Sequence, residues 1–352
     1  MIGYYVHHQG RGHLSRLEAV AAHLRTPVVG LSSLPAPAGW QGDWLRLARD
    51  DDPMPSERDD VSASGVLHWA PRHHRGLSTR MAALAQWFAR ERPAAVVVDV
   101  SAEVALLARL CGIPVVVVAL PGTRTDRPHL AAYDLADALL APWPAQSHAR
   151  GWTSAWTDKA WCVGGISRFD GRPRPPAVPD AGNRRVLLLW GAGGRDTDAS
   201  GVEAARRATP GWTWSERSPD RPSPDLWAEL CAADVVVTHA GQNAVADVAA
   251  ARAAAVVIAQ RRPFGEQLAT ARALRRLGIA DGRAGWPPAH EWGELLDAAH
   301  RRGGEGWARW SSGHGARDAA QRIDALVSGR ASVGGTVERG RTAERGTTVE
   351  RA

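Results

Sequence analysis

Residues 233–278 read ADVVVTHAGQNAVADVAAARAAAVVIAQRRPFGEQLATARALRRLG. Val235–Val237 is a β-branched run too short for a helix, and it predicts a buried parallel strand. A turn with His239, Gly241 and Asn243 follows, and the alanine-rich segment after it predicts a helix. A strand, a glycine turn and a helix in this order leave free backbone N–H groups and the positive end of a helix dipole above the sheet. We therefore expect this turn to bind an anion.

Polar side chains beyond the turn indicate what the anion is attached to. Asp247 lies one turn into the predicted helix, where a carboxylate can accept hydrogen bonds from two neighbouring hydroxyls. A second predicted strand, Ala255–Ile258, leads to a loop that closes with Glu266 and Gln267. An adjacent acid and amide supply acceptors and donors for the hydroxyls of a sugar. Sites for phosphate, ribose and hexose in this chain order are expected for a nucleotide sugar that lies across the strand ends.

Two motifs of this stretch, HAGQNAVAD and RPFGEQ, resemble the donor-binding signature of GT-B glycosyltransferases that use UDP-sugars. They are similar to those of bacterial relatives of the UDP-glucuronosyltransferases and of the N-acetylglucosaminyltransferase that acts on the lipid-linked peptidoglycan precursor. The resemblance implies an α/β protein with the GT-B architecture, in which two Rossmann-like parallel-sheet domains face a central cleft. The donor would bind to the C-terminal domain and the acceptor to the N-terminal one.

The resemblance also implies a role for each matching side chain. The turn would bind the diphosphate, the acid in the helix the ribose, and the acid–glutamine pair the donor sugar. The implied donor-binding residues are His239, Gly241, Gln242, Asn243, Asp247, Glu266 and Gln267. The sequence departs from the family pattern at Asp247, usually glutamate, at Ala244, commonly serine, and at Ala253–Ala255, customarily Gly-x-Pro.

A second glycine turn follows the predicted strand Val186–Trp190. Gly191 and Gly193 in this GAGG turn allow a close backbone approach and are further candidates for binding the diphosphate. Neither this turn nor the N-terminal one has the GxGxxG fingerprint of a nicotinamide-dinucleotide site. The pattern therefore disfavours a dehydrogenase.

The N-terminus repeats the arrangement of strand, turn and helix. Ile2–Val6 predicts a first strand, and HHQGRGH follows it before a helix over Leu14–Leu24. Gly10 and Gly12 let the backbone bend tightly on the acceptor side and place His13 at the start of the helix. In many relatives of the resembled family, a histidine after such a turn takes the proton from the acceptor hydroxyl. His13 is therefore the candidate general base.

Asp99 follows the apolar strand Ala95–Val98 and is expected to face the same crevice as His13. An aspartate bonded to one ring nitrogen would fix the tautomer of the imidazole and raise its basicity. A role for Asp99 as a helix cap fits the sequence equally well.

Two groups of residues raise the question of a metal. His7, His8 and His13 lie within one turn, and the polar loop Arg49–Ser64 is rich in acids. The histidines lack an accompanying carboxylate pattern, and no rigid element holds the acids in the loop. We expect no metal and no cofactor, because the helix terminus can stabilise the diphosphate.

Composition limits the classes of partner. The formal net charge is +6, but Lys159 is the only lysine among 43 basic residues and the arginines are scattered, so we expect no nucleic acid. Three separated cysteines form no disulfide framework or metal pattern. With no leader and no apolar run that could span a bilayer, we expect a cytoplasmic protein. A basic helix with Trp87 and Phe88 leaves peripheral contact with the inner face of the membrane as an alternative.

The boundaries follow from the proline-rich and repetitive segments. The predicted divisions are an acceptor-binding domain over 1–170, a linker over 171–183, a nucleotide-sugar-binding domain over 184–328 and a disordered tail over 329–352.

The function predicted from these features is an inverting hexosyltransferase. It would move a sugar from a UDP-sugar to a hydroxyl of a small-molecule or lipid-linked acceptor. Two alternatives remain open, a nucleotide-sugar epimerase of the same fold and a non-catalytic GT-B partner protein. The acceptor, the sugar and the choice between UDP and TDP are not encoded in a readable motif.

Overall fold

The computed structural model describes residues 1–10, 12–147, 152–175, 182, 184–191, 193 and 196–334 of the 352-residue chain. Part of the predicted linker, residues 176–181 and 183, lies outside this description. The same holds for the predicted tail from residue 335 onward and for part of the second glycine turn, residues 192 and 194.

The described residues form two parallel β-sheets covered by helices. The strands of the first sheet are β1 (Ile2–Val6), β2 (Val28–Ser32), β3 (Trp44–Arg46), β4 (Val96–Asp99), β5 (Val115–Val118), β6 (Ala138–Ala141) and β7 (Ala160–Cys162). The strands of the second sheet are β8 (Arg184–Leu189), β9 (Trp212–Arg217), β10 (Val235–His239), β11 (Ala255–Ile258) and β12 (Asp281–Arg283). The helices are α1 (Gly12–Ala21), α2 (Arg75–Glu91), α3 (Ala102–Leu110), α4 (Arg127–Leu135), α5 (Ser154–Asp158), α6 (Ala199–Ala208), α7 (Leu226–Ala232), α8 (Gln242–Ala250), α9 (Glu266–Arg276), α10 (Trp292–Arg302) and α11 (Gly315–Gly334).

The central strands form because they are short, β-branched and apolar on both faces. Val96–Val98 and Val115–Val118 are buried throughout, as expected for parallel strands that have helices on each side. Every strand pair within the two sheets is parallel in the described residues. The predicted α/β class with two Rossmann-like sheets is confirmed.

The strand order explains where a ligand can bind. The first sheet has the order β3-β2-β1-β4-β5-β6-β7, so the chain changes direction across the sheet between β1 and β4. The second has the order β12-β11-β10-β8-β9, and its change of direction lies between β8 and β10. Loops diverge at such a switch point and leave a crevice at the carboxyl ends of the strands. The crevices therefore lie at the turns that follow β1 and β8.

The last helix crosses back to the first sheet. Ala316, Ala319, Ala320 and Ile323 of α11 are buried in the same apolar cluster as Leu17 of α1. The predicted donor domain over 184–328 therefore ends in a helix that packs on the acceptor half. Helix α11 also continues to residue 334, so the start of the predicted disordered tail, residues 329–334, is helical.

Asp324 fastens α11 to the segment before β2. Its Oδ1 accepts hydrogen bonds from the backbone N and Oγ1 of Thr26, at 3.1 and 2.7 Å, and its Oδ2 accepts from the backbone N of Arg25 at 3.1 Å. Although burial acts to raise it, these hydrogen bonds lower the pKa of Asp324 below its usual value.

We expect Asp324→Asn to lower the free energy of unfolding by about 1–2 kcal/mol at neutral pH, because the partly buried donors of Arg25 and Thr26 lose a charged acceptor. A lowered folded-state pKa contributes stability above the unfolded value of about 4, and this contribution is lost as the pH falls through the folded-state value. The difference in the free energy of unfolding between Asp324→Asn and the wild type should therefore become smaller in acid. Urea unfolding at several pH values measures it, with Gln321→Ala, an exposed position on the same helix, as the control.

Helix α2 bears on the membrane alternative. Trp87 and Phe88 are only 5% and 2% exposed and pack in the core beneath the first sheet. They do not form an outward apolar face, so the alternative of a membrane contact through these two side chains is wrong. Peripheral contact through other residues stays a prediction. Among the described residues, none of the helices combines the length and the apolar character needed to cross a bilayer.

Candidate active site

A cleft of about 980 Å³ lies between the two sheets and is lined by residues of both. Of the site residues predicted from sequence, all except Asp99 line it: Gly10, Gly12, His13, Gly191, Gly193, His239, Gly241, Gln242, Asn243, Asp247, Glu266 and Gln267. The structure thus brings the two predicted glycine–histidine turns, one from each domain, to the same space. The role of each residue in binding or catalysis stays a prediction.

His13 and Asp99 meet across the switch point between β1 and β4. Nδ1 of His13 lies 2.8 Å from Oδ1 of Asp99, and the Asp99 side chain is fully buried at the end of β4. The cap of α3 is Ser101, which accepts from the backbone N of Val104. The predicted pairing is therefore confirmed, and the cap alternative is wrong. Because an ionised carboxylate can only accept, Nδ1 carries the proton, and Nε2 is the acceptor in the neutral ring.

Arg16 is a member of this cluster that the sequence analysis missed. Its Nη1 donates to Oδ1 and Oδ2 of Asp99 at 2.7 and 2.8 Å, and only 4% of the surface of Arg16 is exposed. Burial acts to raise the pKa of Asp99, but the charge of Arg16 and the contact with His13 lower it below its usual value. The available signal was spacing, because Arg16 lies three residues after His13 and therefore on the same side of α1.

His239 ends β10 and is held between two glycines. The backbone N of Gly241 donates to Nδ1 of His239 at 3.1 Å, so the ring proton lies on Nε2. Burial, with a smaller effect of Arg262, lowers the pKa of His239 to about 4, and the ring is therefore neutral at neutral pH. A Cβ placed on Gly191 would lie 2.4 Å from Nε2, and one on Gly241 would lie 2.5 Å from Cε1. The glycines are required because any side chain there would displace the ring.

Gly191→Ala should therefore move the imidazole of His239 and remove its Nε2–H donor from the cleft. Loss of one hydrogen bond to a charged ligand corresponds to about 1.5–3 kcal/mol, so we expect the dissociation constant of UDP to rise about tenfold or more. Isothermal titration calorimetry measures this change. Gly211→Ala is the matched control, because a Cβ at Gly211 meets nothing within 4 Å. Equal affinities in the two variants would contradict this role of the turn.

Helix α8 begins at the cleft without a side-chain cap. Its N-cap residue is Gly241, whereas α3, α4, α6 and α7 are each capped by a side chain, from Ser101, Asp126, Asp198 and Asp225 respectively. The amides of an uncapped first turn and the helix dipole attract an anion. The arrangement expected from residues 239–243 is therefore present in the structure.

The first two side chains of α8 reach the other domain. Nδ2 of Asn243 donates to the backbone carbonyl of Gly12 at 3.1 Å, and Oε1 of Gln242 accepts from Nη2 of Arg16 at 2.8 Å. Nε2 of Gln242 is buried and has no hydrogen-bond partner among the described residues. In the structure these two side chains therefore connect the domains, a function that the predicted diphosphate role did not include.

Asp247 also contacts the acceptor half. Its Oδ1 accepts from Oγ of Ser167 at 2.7 Å, and its Oδ2 accepts from Nε of Arg168 at 3.2 Å. Burial raises the pKa of Asp247, although Arg168 and Ser167 act against this effect. The carboxylate borders the cleft, so a ribose would have to share or replace these partners.

The predicted sugar-binding pair is likewise bonded within the protein. Glu266 lies 3.3 Å from Nη2 of Arg124, whose guanidinium is stacked over the ring of Phe264. Oε1 of Gln267 accepts from the backbone N of Gln260 at 3.1 Å. Both side chains border the cleft. The contact of Glu266 joins the start of α9 to Arg124 of the first domain, whereas the contact of Gln267 is made within the second domain.

One group among the described residues has the composition of a metal site. Ligand atoms of His8, Asp50 and Asp51 lie within 4.8 Å of one another. Asp50 is already paired with Arg80 at 2.6 Å, and Asp51 with Arg49 at 2.8 Å. The positive charges of the two arginines neutralise the carboxylates that a metal cation would need as ligands. The expectation that no metal takes part stays a prediction.

Several solved glycosyltransferases are similar to this chain in structure. No protein-family model matches the chain, and no curated protein matches it in sequence. The glycotransferase of kitacinnamycin is similar in structure, with a TM-score of 0.65 and 18% identity over 92% of this chain and 98% of that one. MurG of Acinetobacter baumannii gives a TM-score of 0.57 and 16% identity over 93% and 99% of the two chains. The spinosyn rhamnosyltransferase SpnG complexed with thymidine diphosphate gives 0.55 and 16% over 96% and 100%.

These similarities extend over nearly the whole of each chain, including both sheets and the cleft between them. At these identities they concern the fold. The chain therefore has the GT-B fold of these glycosyltransferases.

Proposed function

We propose that the protein transfers a sugar from a UDP-sugar to a hydroxyl acceptor with inversion at the anomeric carbon. The observation that carries the proposal is the pair of turns across one cleft. One turn holds the His13 imidazole, oriented by Asp99 through Nδ1, and the other holds the start of α8, which lacks a side-chain cap, and the Nε2–H of His239. A base on one side and an anion site on the other are the two parts that glycosyl transfer from a nucleotide requires.

The donor would bind with its diphosphate on the second turn. The amides of the first turn of α8 and Nε2–H of His239 are neutral donors that are held in place before the reaction. Donors of this kind stabilise the charge that develops on a departing diphosphate, and they act strongly in a site from which water is excluded. The chain can therefore supply leaving-group stabilisation without a metal ion. Glu266 and Gln267 border the same space and would contact the sugar hydroxyls.

The acceptor would bind on the side of His13. Nε2 of His13 would take the proton of the acceptor hydroxyl while the oxygen attacks the anomeric carbon. Asp99, bonded to Nδ1, would stabilise the resulting imidazolium. The attacking oxygen approaches from the face opposite the diphosphate, so a single displacement inverts the configuration.

The nucleotide is proposed from the donor motifs, which resemble those of UDP-sugar enzymes. SpnG was solved with thymidine diphosphate, and UDP and TDP differ little in the groups that a diphosphate turn contacts. Both nucleotides therefore belong in the test.

The test is product analysis with UDP-sugars and TDP-sugars, each incubated with and without a mixture of hydroxyl acceptors that includes lipid-linked ones. We expect UDP release to depend on an acceptor and the new glycoside to have the inverted anomeric configuration by NMR. Conversion of the donor sugar without any acceptor would identify an epimerase instead. Failure to release or bind any nucleotide would favour a non-catalytic protein of the same fold.

A further inference from the structure

We infer that Arg16 is a positioning residue that links the docking of helix α8 to the orientation of the His13–Asp99 pair. The inference rests on the proposed function, because it assigns His13 the role of base and α8 that of donor helix. No hydrogen bond joins Arg16 to the ring of His13. The proposed reaction also gives Arg16 no contact with a reacting atom. It acts through Asp99 on one side and Gln242 on the other.

The geometry of the guanidinium supports a link between the domains. Nη1 holds both oxygens of Asp99, and Nη2 holds Oε1 of Gln242 at 2.8 Å, so one planar group bonds to β4 and to α8 at the same time. A guanidinium is rigid and its donors point in fixed directions, so the position of one partner constrains the other. Lysine could not reproduce this, because its ammonium is a single point on a flexible stem.

The charges support a role in the proton chemistry. Asp99 is fully buried, and a buried carboxylate without a cation is strongly disfavoured. With Arg16 in place, the carboxylate and guanidinium together carry no net charge, so the buried Asp99 can stay ionised and keep its hydrogen bond to Nδ1 of His13. Among the described residues, His7 is a further titratable group near the ring, with its ring centroid 6.1 Å from that of His13. Burial lowers the pKa of His7 to about 3, so it adds no charge at neutral pH.

A second contact makes the same link. Asn243, the neighbour of Gln242, donates to the carbonyl of Gly12, the residue directly before His13. The first two residues of α8 therefore hold both the backbone beside His13 and the guanidinium behind Asp99. When α8 is docked as in this structure, it fixes Asp99 through Arg16 and the backbone of Gly12 directly. When it moves away, Arg16 loses one acceptor and Gly12 loses its donor.

The experiment measures the ring of His13 directly, so it does not depend on turnover. Protein labelled with 15N-histidine gives two-bond 1H–15N correlations that report the tautomer and titration of each ring, and His13→Ala assigns the signals. In Arg16→Gln the ring 15N signals of His13 should shift, because Asp99 loses the donor that holds both of its oxygens and no longer fixes Nδ1 in the same way. Arg16→Lys keeps the positive charge and serves as the folded comparison, and we expect a smaller change of the His13 signals. Arg25→Gln, a change at an exposed arginine just after α1, is the control.

The link to α8 has its own variant. Gln242→Ala removes only the acceptor of Nη2, and we expect it to shift the ring signals of His13 although the two side chains are not bonded. The same change in an Arg16→Lys background should have no further effect, because the link is already broken.

The inference is overturned if the His13 ring signals of Arg16→Gln coincide with those of the wild type, or if Gln242→Ala leaves these signals unchanged. The proposed function fails separately, through the absence of sugar transfer in the wild type, while the His13 spectra would still show whether Arg16 positions the pair. If Arg16→Gln does not fold, the spectra of Arg16→Lys and Gln242→Ala still decide the question.

Discussion

His13→Ala should lower kcat by about 100-fold or more, as loss of a general base does, and leave the dissociation constant of UDP unchanged. The ring lies at the start of α1 with Nδ1 bonded to Asp99, so its removal takes away the group proposed to accept the proton. The proposed diphosphate turn belongs to the other domain and keeps its donors. The measurement combines steady-state rates with calorimetric titration of UDP.

The matched control for this change is His23→Ala. His23 is exposed just beyond the end of the same helix and does not line the cleft. It should react at the wild-type rate. Unchanged turnover in His13→Ala would remove His13 from the mechanism, and a parallel loss of UDP affinity would indicate a structural effect on the cleft.

Asp99→Ala should have the largest effect on stability, because it leaves the charge of Arg16 buried without its partner. Breaking a buried ion pair in this way costs about 3–5 kcal/mol, and the variant also loses the group that orients His13. Asp99→Asn keeps the shape but not the charge, so it should fold better and still react slowly. Urea unfolding and single-turnover rates measure the two effects.

The pH dependence gives a second check on Asp99. Its folded-state pKa is lowered, so its contribution to stability is present above about pH 4 and is lost as the pH falls through the folded-state value. The stability difference between Asp99→Asn and wild type should therefore narrow in acid. Glu91→Gln is the control, because the pair of Glu91 with Arg90 is at the surface and such pairs contribute about 0–1 kcal/mol. A loss in Asp99→Ala no larger than in the control would contradict the account of the buried pair.

The local sequence pattern was sufficient to predict the fold class and the positions of the two glycine turns. The valine runs that became β4, β5 and β10 are short and apolar on both faces, and glycine turns follow β1 and β8. Because parallel strands end at a common edge, the positions of His13 and Asp99 followed from their places at two strand ends. Their contact of 2.8 Å agrees with that expectation.

Contacts between distant segments could not be predicted in this way. Arg16 lies 83 residues from Asp99 and 226 from Gln242, and nothing in the neighbourhood of each residue indicates the other two. The return of α11 to the first sheet has the same cause, since its apolar face is compatible with either domain. Phe88 is a further example. The sequence of one helix predicts an apolar face, but it does not indicate whether that face packs in a core or contacts a membrane.

The central claim is that the cleft binds a nucleoside diphosphate at the turn between β10 and α8. The most direct measurement is a thermal-shift panel of the wild-type protein with UDP, TDP, GDP and NAD. A ligand at 100 times its dissociation constant adds about 2.7 kcal/mol, which should raise Tm by roughly 5 °C in a chain of this size. We expect a rise of this order with UDP, a rise with TDP if the pyrimidine is read loosely, and none with NAD. Absence of a shift with every nucleoside diphosphate would contradict the account.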